Sequence, residues 1–269
     1  MPKVQDSPLR TKMRMVLKEI TRCVKASRLN EFNPQLLKHY GIRLEPMVLD
    51  EKSPLKPRFF APFPFHALLE IDEHSPMGPY NGIDDDPPKG DFFDCPKTPY
   101  QRADWVEAHL SSYIAGCVAL IRGEEIAWTD KSVGDYPFKG LSRYCEQPSY
   151  VCASITDLNG TSHPHVKAIM LNNMVASDST VLFGELLPAL RIMLLQVRRD
   201  RFLHHIITPV MIISLMGMKA RVIEVYQENG TLVVRPTEMI DFTHANDDGF
   251  KQLTQWYLGK AIGDTVETA

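Results

Sequence analysis

Apolar residues recur at three- and four-residue spacing over residues 10–28, RTKMRMVLKEITRCVKASR, where Met13, Val16, Leu17, Ile20 and Val24 form one stripe. That period predicts an amphipathic helix. The same period over 101–122 sets Val106, Leu110, Tyr113, Ile114, Cys117, Val118 and Ile121 on one buried face. Residues 149–157 (SYVCASITD) read as a strand, the turn residues Asn159 and Gly160 follow, and 163–171 reads as the antiparallel return strand. Residues 181–198 are apolar nearly all round and predict a buried helix, with Ser177, Asp178 and Ser179 able to cap it and Pro188 kinking it or marking its first turn. An alternative places a short strand at 181–183 and starts the helix near 187. HIITPVMIISLM (205–216) has the unbroken apolar character of a central strand. Asn229-Gly230 predicts a tight hairpin across 221–237, EMIDF extends it, and a last helix over 248–258 presents Phe250, Leu253, Trp256 and Tyr257.

These elements predict an α+β (mixed α/β) fold: a single sheet with flanking helices, a C-terminal β-hairpin and a long acidic, Pro-rich loop. The expected organisation is a basic helix over 1–30, an extended arm and acidic loop over 31–100, and an α+β core over 101–269, together one globular unit. In the arm, Phe59, Phe60, Phe63 and Phe65 cannot all face water and are expected to pack over the core.

Charge sharpens this picture. The 269 residues carry a net charge of −3, yet residues 1–30 hold eight Lys/Arg against two acids. Residues 71–94 hold seven acids against Lys89 alone. A basic amphipathic helix can meet a protein, a nucleic acid or an anionic surface, or simply be solvated; Glu19 argues against an organelle presequence. Asp84, Asp85 and Asp86 lack the spaced pattern of a calcium loop and read as a solvated tip. There is no membrane-length apolar run, no secretory leader pattern and no Cys-x-x-Cys pair among the five cysteines. The expectation is an intracellular protein, cytoplasmic or nuclear, with reduced thiols. Nucleophile elbows, phosphate-binding glycine loops, dinucleotide fingerprints and His-Glu-x-x-His helices do not occur.

One stretch draws chemical attention: DLNGTSHPHVKAIML, 157–171. On a strand, His163, His165 and Lys167 share a face that runs on into Ile169 and Leu171, while Val166, Ala168 and Met170 share the other. Three readings compete. His163 and His165, with Asp157 or with His204, His205 or His244, are candidate ligands of a divalent metal. The polar groups are otherwise only a strand leaving the sheet edge beside a turn, with Asp157 near His163 across it as a local clamp that raises the imidazole pKa. The third reading is a resemblance. Helix, strand ending in Asp157, hairpin, strand carrying Val166-Lys167, then helix resembles the core of restriction-endonuclease-like (PD-(D/E)XK) nucleases over about 101–215. It implies Asp157 as metal-binding aspartate, Lys167 as the lysine positioning the attacking water and Glu185 as the helix acid. His165 stands where the second acid belongs, and imidazole is a poor magnesium ligand, so such a fold is expected to be degenerate. Separately, GELLPALRIML, HIITPVMIISLMG, RVIEVYQENGTLVVRPTEMIDF and WYLGKAIGDT resemble a group of uncharacterised filamentous-fungal proteins over about 148–265; the resemblance implies a fungal origin and carries over no known activity or site.

The leading expectation is a non-catalytic or degenerate binding domain that engages a protein or nucleic-acid partner through its basic N-terminal helix and acidic loop. The alternative is a metal-dependent phosphodiesterase or nuclease built on Asp157, His165, Lys167 and Glu185.

Overall fold

The fold was established from a computed structural model, which describes residues 7–71, 79–83, 97–120, 127–133, 140–160 and 162–266. In chain order the elements are α1 (Pro8–Ser27), β1 (Glu31–Phe32), α2 (Pro34–His39), β2 (Ile42–Leu44), α3 (Pro99–Leu120), β3 (Trp128–Lys131), β4 (Ser142–Arg143), β5 (Tyr150–Leu158), β6 (Val166–Asn172), β7 (Val181–Leu182), α4 (Phe183–Gln196), β8 (Val210–Met216), β9 (Lys219–Glu228), β10 (Thr231–Pro236), β11 (Ile240–Asp241) and α5 (Asp247–Leu258).

A nine-stranded sheet runs in the order β2-β10-β9-β8-β6-β5-β3, with β4 beside β5 and β11 beside β9. It is mixed: β6 lies parallel to β8 and β2 parallel to β10, whereas the other pairs are antiparallel. A second, two-stranded ribbon joins β1 to β7, so the sheet is not single as expected. The fold is α+β, and helices cover both faces. On one face Leu17, Ile20 and Val24 of α1 pack with Leu190 and Met193 of α4 over Val166, Ala168 and Val210. On the other, Val106 and Leu110 of α3 and Phe250, Leu253 and Trp256 of α5 pack over Ile169, Leu171, Met211 and Ile213. Alternation along β6 and β8 divides their side chains between the two cores.

Several local expectations need correction. The helix from 183 is not capped by Ser177, Asp178 or Ser179. Its first turn is closed by Glu185, whose Oε2 accepts the Leu182 N–H at 2.7 Å, while Ser177 and Thr180 form a separate hydroxyl turn. Residues 181–182 are a strand of the ribbon, and Pro188 sits inside α4. The apolar strand begins at Val210, after Pro209, which has no N–H to give the ladder. On α3, Val118 is exposed rather than buried. The stretch before residue 101 supplies two strands and a helix, α2, that the sequence reading took as extended arm. Phe59, Phe60 and Phe63 are buried as expected, whereas Phe65 is exposed. Asp84, Asp85 and Asp86 lie outside the described residues.

The expected hairpin is present. β5 and β6 pair antiparallel with Tyr150 opposite Asn172 and Asp157 opposite Val166. At the other predicted turn, Asn229 and Gly230 adopt φ of 51° and 79°, the left-handed pair a tight hairpin requires.

Candidate functional site

β6 is a central strand, flanked by β5 and β8, and this changes the meaning of its polar residues. His165 and Lys167 do not sit at a sheet edge; both are completely buried. What covers them comes from distant chain: the Phe59–Phe60 arm and the segment that follows α5. Lys167 Nζ donates to the carbonyls of Trp256, Tyr257 and Gly259 at 3.1, 2.8 and 2.7 Å and lies 3.9 Å from the Trp128 ring centroid. Three acceptors match the three hydrogens of an ammonium, which caps the negative end of α5. Burial pulls this amine well below the ordinary lysine range; the carbonyl cage and the ring oppose that shift.

His165 Nε2 lies 3.0 Å from the Ile262 carbonyl, so this nitrogen carries the hydrogen, and Nδ1 has no partner among the described residues. Burial lowers the imidazole pKa to about 3, keeping it neutral. Its ring meets Phe60 edge-on at 5.3 Å. The segment held by His165 and Lys167 also bonds to the arm, through Ala61 N–H to Lys260 and Ile262 N–H to Phe59, and His205 adds a 2.7 Å contact to Thr265. The polar residues of 163–167 thus clamp the C-terminal strap.

Asp157 belongs to the other side of the sheet. It pairs with Val166, on the α1–α4 face, while Lys167 pairs with Thr156 and points oppositely. Asp157 does not clamp His163. Its Oδ2 accepts from Arg199 at 2.7 Å and Arg201 at 3.0 Å, and Lys131 stands 3.6 Å from Oδ1; His163 contacts Ser162, and its ring lies tilted to that of His165, the centroids 5.6 Å apart. Glu185 is buried against Arg221 and its own helix start. Asp157, Lys167, Glu185 and the two histidines therefore do not converge on one point. Of the further candidate ligands, His205 is engaged with Thr265, and His204 and His244 are exposed. Among the described residues, no group of three or more His, Cys, Asp or Glu side chains is placed to hold a metal ion.

The concentration of cationic side chains lies elsewhere, between α1 and α4. Arg10 fixes the helix pair by donating its buried guanidinium to the carbonyls of Val197, Phe202 and His205 at the end of α4. With the apolar stripe turned inward, a cleft of about 720 Å³ opens alongside, lined by Lys18, Arg22, Lys25, Arg28, Arg191 and Arg198 and by no acid. A second cleft of about 690 Å³ continues past Lys25, Arg28 and Arg191 towards Arg143 and Tyr150. Arg22 is paired with Glu19 on the exposed side of α1, and Arg143 with Glu146. Asp157 holds Arg199 and Arg201, which follow Arg198 in the chain.

No protein-family model matches this chain, and no curated protein or solved structure is similar to it at a significant level. The site must be read from its own geometry. The basic helix was legible in the sequence. Arg143 and Arg191 were not singled out, although Arg191 carried a signal: it is the lone cation in the apolar helix 183–196.

Proposed function

We propose that this chain is a non-catalytic binding module that holds a single nucleic-acid strand by its phosphates along the α1–α4 groove. The observation carrying this reading is the run of six cations lining one cleft without a carboxylate. Lys18, Arg22 and Lys25 fall on one side of α1, and at 1.5 Å per residue they are spaced by roughly 6 and 4.5 Å along its axis. Such a row follows a charged backbone rather than enclosing a small molecule. Four of the six are arginines, whose forked donors suit phosphate oxygens. A protein partner would instead require exposed apolar anchors, and the cleft's Leu194 lies buried at its floor. No helix among the described residues is long and apolar enough to cross a membrane.

The test is fluorescence anisotropy of labelled single-stranded RNA and DNA dodecamers between 50 and 200 mM salt. Binding is expected to weaken with salt, with a slope of about −0.7 per phosphate neutralised. The triple variant Lys18→Glu, Arg22→Glu, Lys25→Glu is expected to lose at least tenfold in affinity with an unchanged circular dichroism spectrum. Absence of strand binding by the native chain at 50 mM salt refutes the reading, as does equal affinity for polyglutamate.

A further inference from the structure

The second cleft differs from the groove it continues. It has an apolar, aromatic floor of Tyr150, Phe183 and Leu187, and the two rings lie 6.0 Å apart. Arg143 reaches over this floor, its guanidinium 5.5 Å from the Phe183 ring centroid. Arg191 forms the opposite wall. Its Nε is buried and has no acceptor among the described residues. Gly140, at φ 109°, packs beside this guanidinium, and a Cβ there would stand 3.4 Å from Nε, an ordinary contact. Tyr150 secures Gly140 in turn by donating its hydroxyl to the Gly140 carbonyl at 3.2 Å. The acid of the cleft, Glu146, is largely exposed and paired with Arg143.

We infer that this cleft receives the phosphorylated end of the strand, a terminal phosphate monoester held by Arg143 and Arg191. The inference rests on the strand-binding reading above. A monoester carries nearly two negative charges at pH 7 and three free oxygens, against one charge for a backbone diester. Two guanidiniums line this one cleft, that of Arg191 with a buried donor unused among the described residues, and suit the monoester better than a passing diester. Lys25, Arg28 and Arg191 line both clefts, so a strand lying along α1 enters the second cleft without leaving positive surface.

The experiment compares otherwise identical oligonucleotides carrying a 5′-phosphate, a 3′-phosphate or neither, by anisotropy with the full chain. One phosphorylated end is expected to bind about tenfold more tightly, the size of a charge-assisted hydrogen bond or two. Arg143→Gln, which alters a residue lining only the end cleft, is expected to abolish that preference and leave the unphosphorylated strand unaffected. A nucleoside monophosphate is expected to compete selectively against the phosphorylated strand. Equal affinity for all three oligonucleotides overturns the end-pocket inference while leaving the groove reading standing. A preference that survives in Arg143→Gln removes the assignment to this cleft. Failure of every strand to bind overturns the groove reading and this inference with it.

Discussion

His165 is a neutral imidazole enclosed by Phe59, Phe60 and the Ile262 carbonyl, and the cost of charging it there makes the fold sensitive to acid. Burial holds its pKa at about 3, below the ordinary value of 6.5. Between those values the unfolded chain binds a proton that the folded chain refuses. Stability from this residue is therefore complete above pH 6.5 and falls as pH drops towards 3, by about 1.4 kcal/mol per pH unit. From pH 7 to 4.5 the loss is roughly 2–3 kcal/mol. Urea unfolding at these two pH values checks it: His165→Gln, which can keep a donor near Ile262, is expected to show a smaller loss than the native chain by about that amount. An identical loss in both proteins contradicts the account. The alternation of faces along this strand was legible: Val166, Ala168 and Met170 enter one core, Ile169 and Leu171 the other. What could not be read was that the face of His165 and Lys167 is covered, because its covering atoms lie some ninety residues later in the chain. A polar pair on a half-apolar strand reads as edge until the third layer is known.

At the scale of elements, the periodic signals placed the helices well and the short pieces poorly. α1, α3, α5 and the β9–β10 hairpin carry long patterns or an Asn-Gly turn, and each lies within a few residues of its expected position. β1, β2 and β7 are two or three residues long, too short for a period to show, and β2 is held by long-range pairing with β10. The arm before residue 64 is positioned by a polar device rather than by its phenylalanines alone. Glu224, fully buried on β9, accepts from the Arg58 and Phe59 N–H groups at 2.8 Å each and from Arg235 at 2.8 Å. Arg235 in turn donates to the Leu55 and Lys56 carbonyls at 2.9 and 3.0 Å. Removing the carboxylate strips the buried Arg235 of its buried counter-ion and leaves two amides unpaired, a loss of about 3–5 kcal/mol for a broken buried pair. Glu224→Ala is thus expected to destabilise the fold by that amount in urea unfolding. Hydrogen exchange adds a finer check: amides 58–62 are expected to lose protection first, while those of β9 and β10 keep theirs until the molecule unfolds. Persistence of slow exchange at 58–62 would mean that the aromatic contacts alone seat the arm.

At the scale of the whole molecule, the charge imbalance seen in the sequence becomes a surface with one strongly positive face. The basic helix was visible as composition, but the groove was not, because it needs Arg191 and Arg198 of the apolar α4 region brought beside α1. Six cations lining one cleft repel each other in the folded state more than in an extended chain, so the fold carries an electrostatic penalty that an anion can relieve. Any anion bound only by the folded state adds stability as RT ln(1 + [L]/Kd). Inorganic phosphate is therefore expected to raise the melting temperature more than chloride does at matched ionic strength. Exclusion of phosphate from protein surfaces produces a rise of its own, and the variant Lys18→Glu, Arg22→Glu, Lys25→Glu separates the two effects. It keeps the apolar stripe of α1 and the Arg10 cap, so its fold is retained, yet it removes half of the cations in the first cleft. With the repulsion relieved, it is expected to melt above the native chain at low salt and to gain from phosphate only the small increment that exclusion supplies. If phosphate raises both melting temperatures equally, the groove does not bind anions and the positive face is no more than a solvated surface.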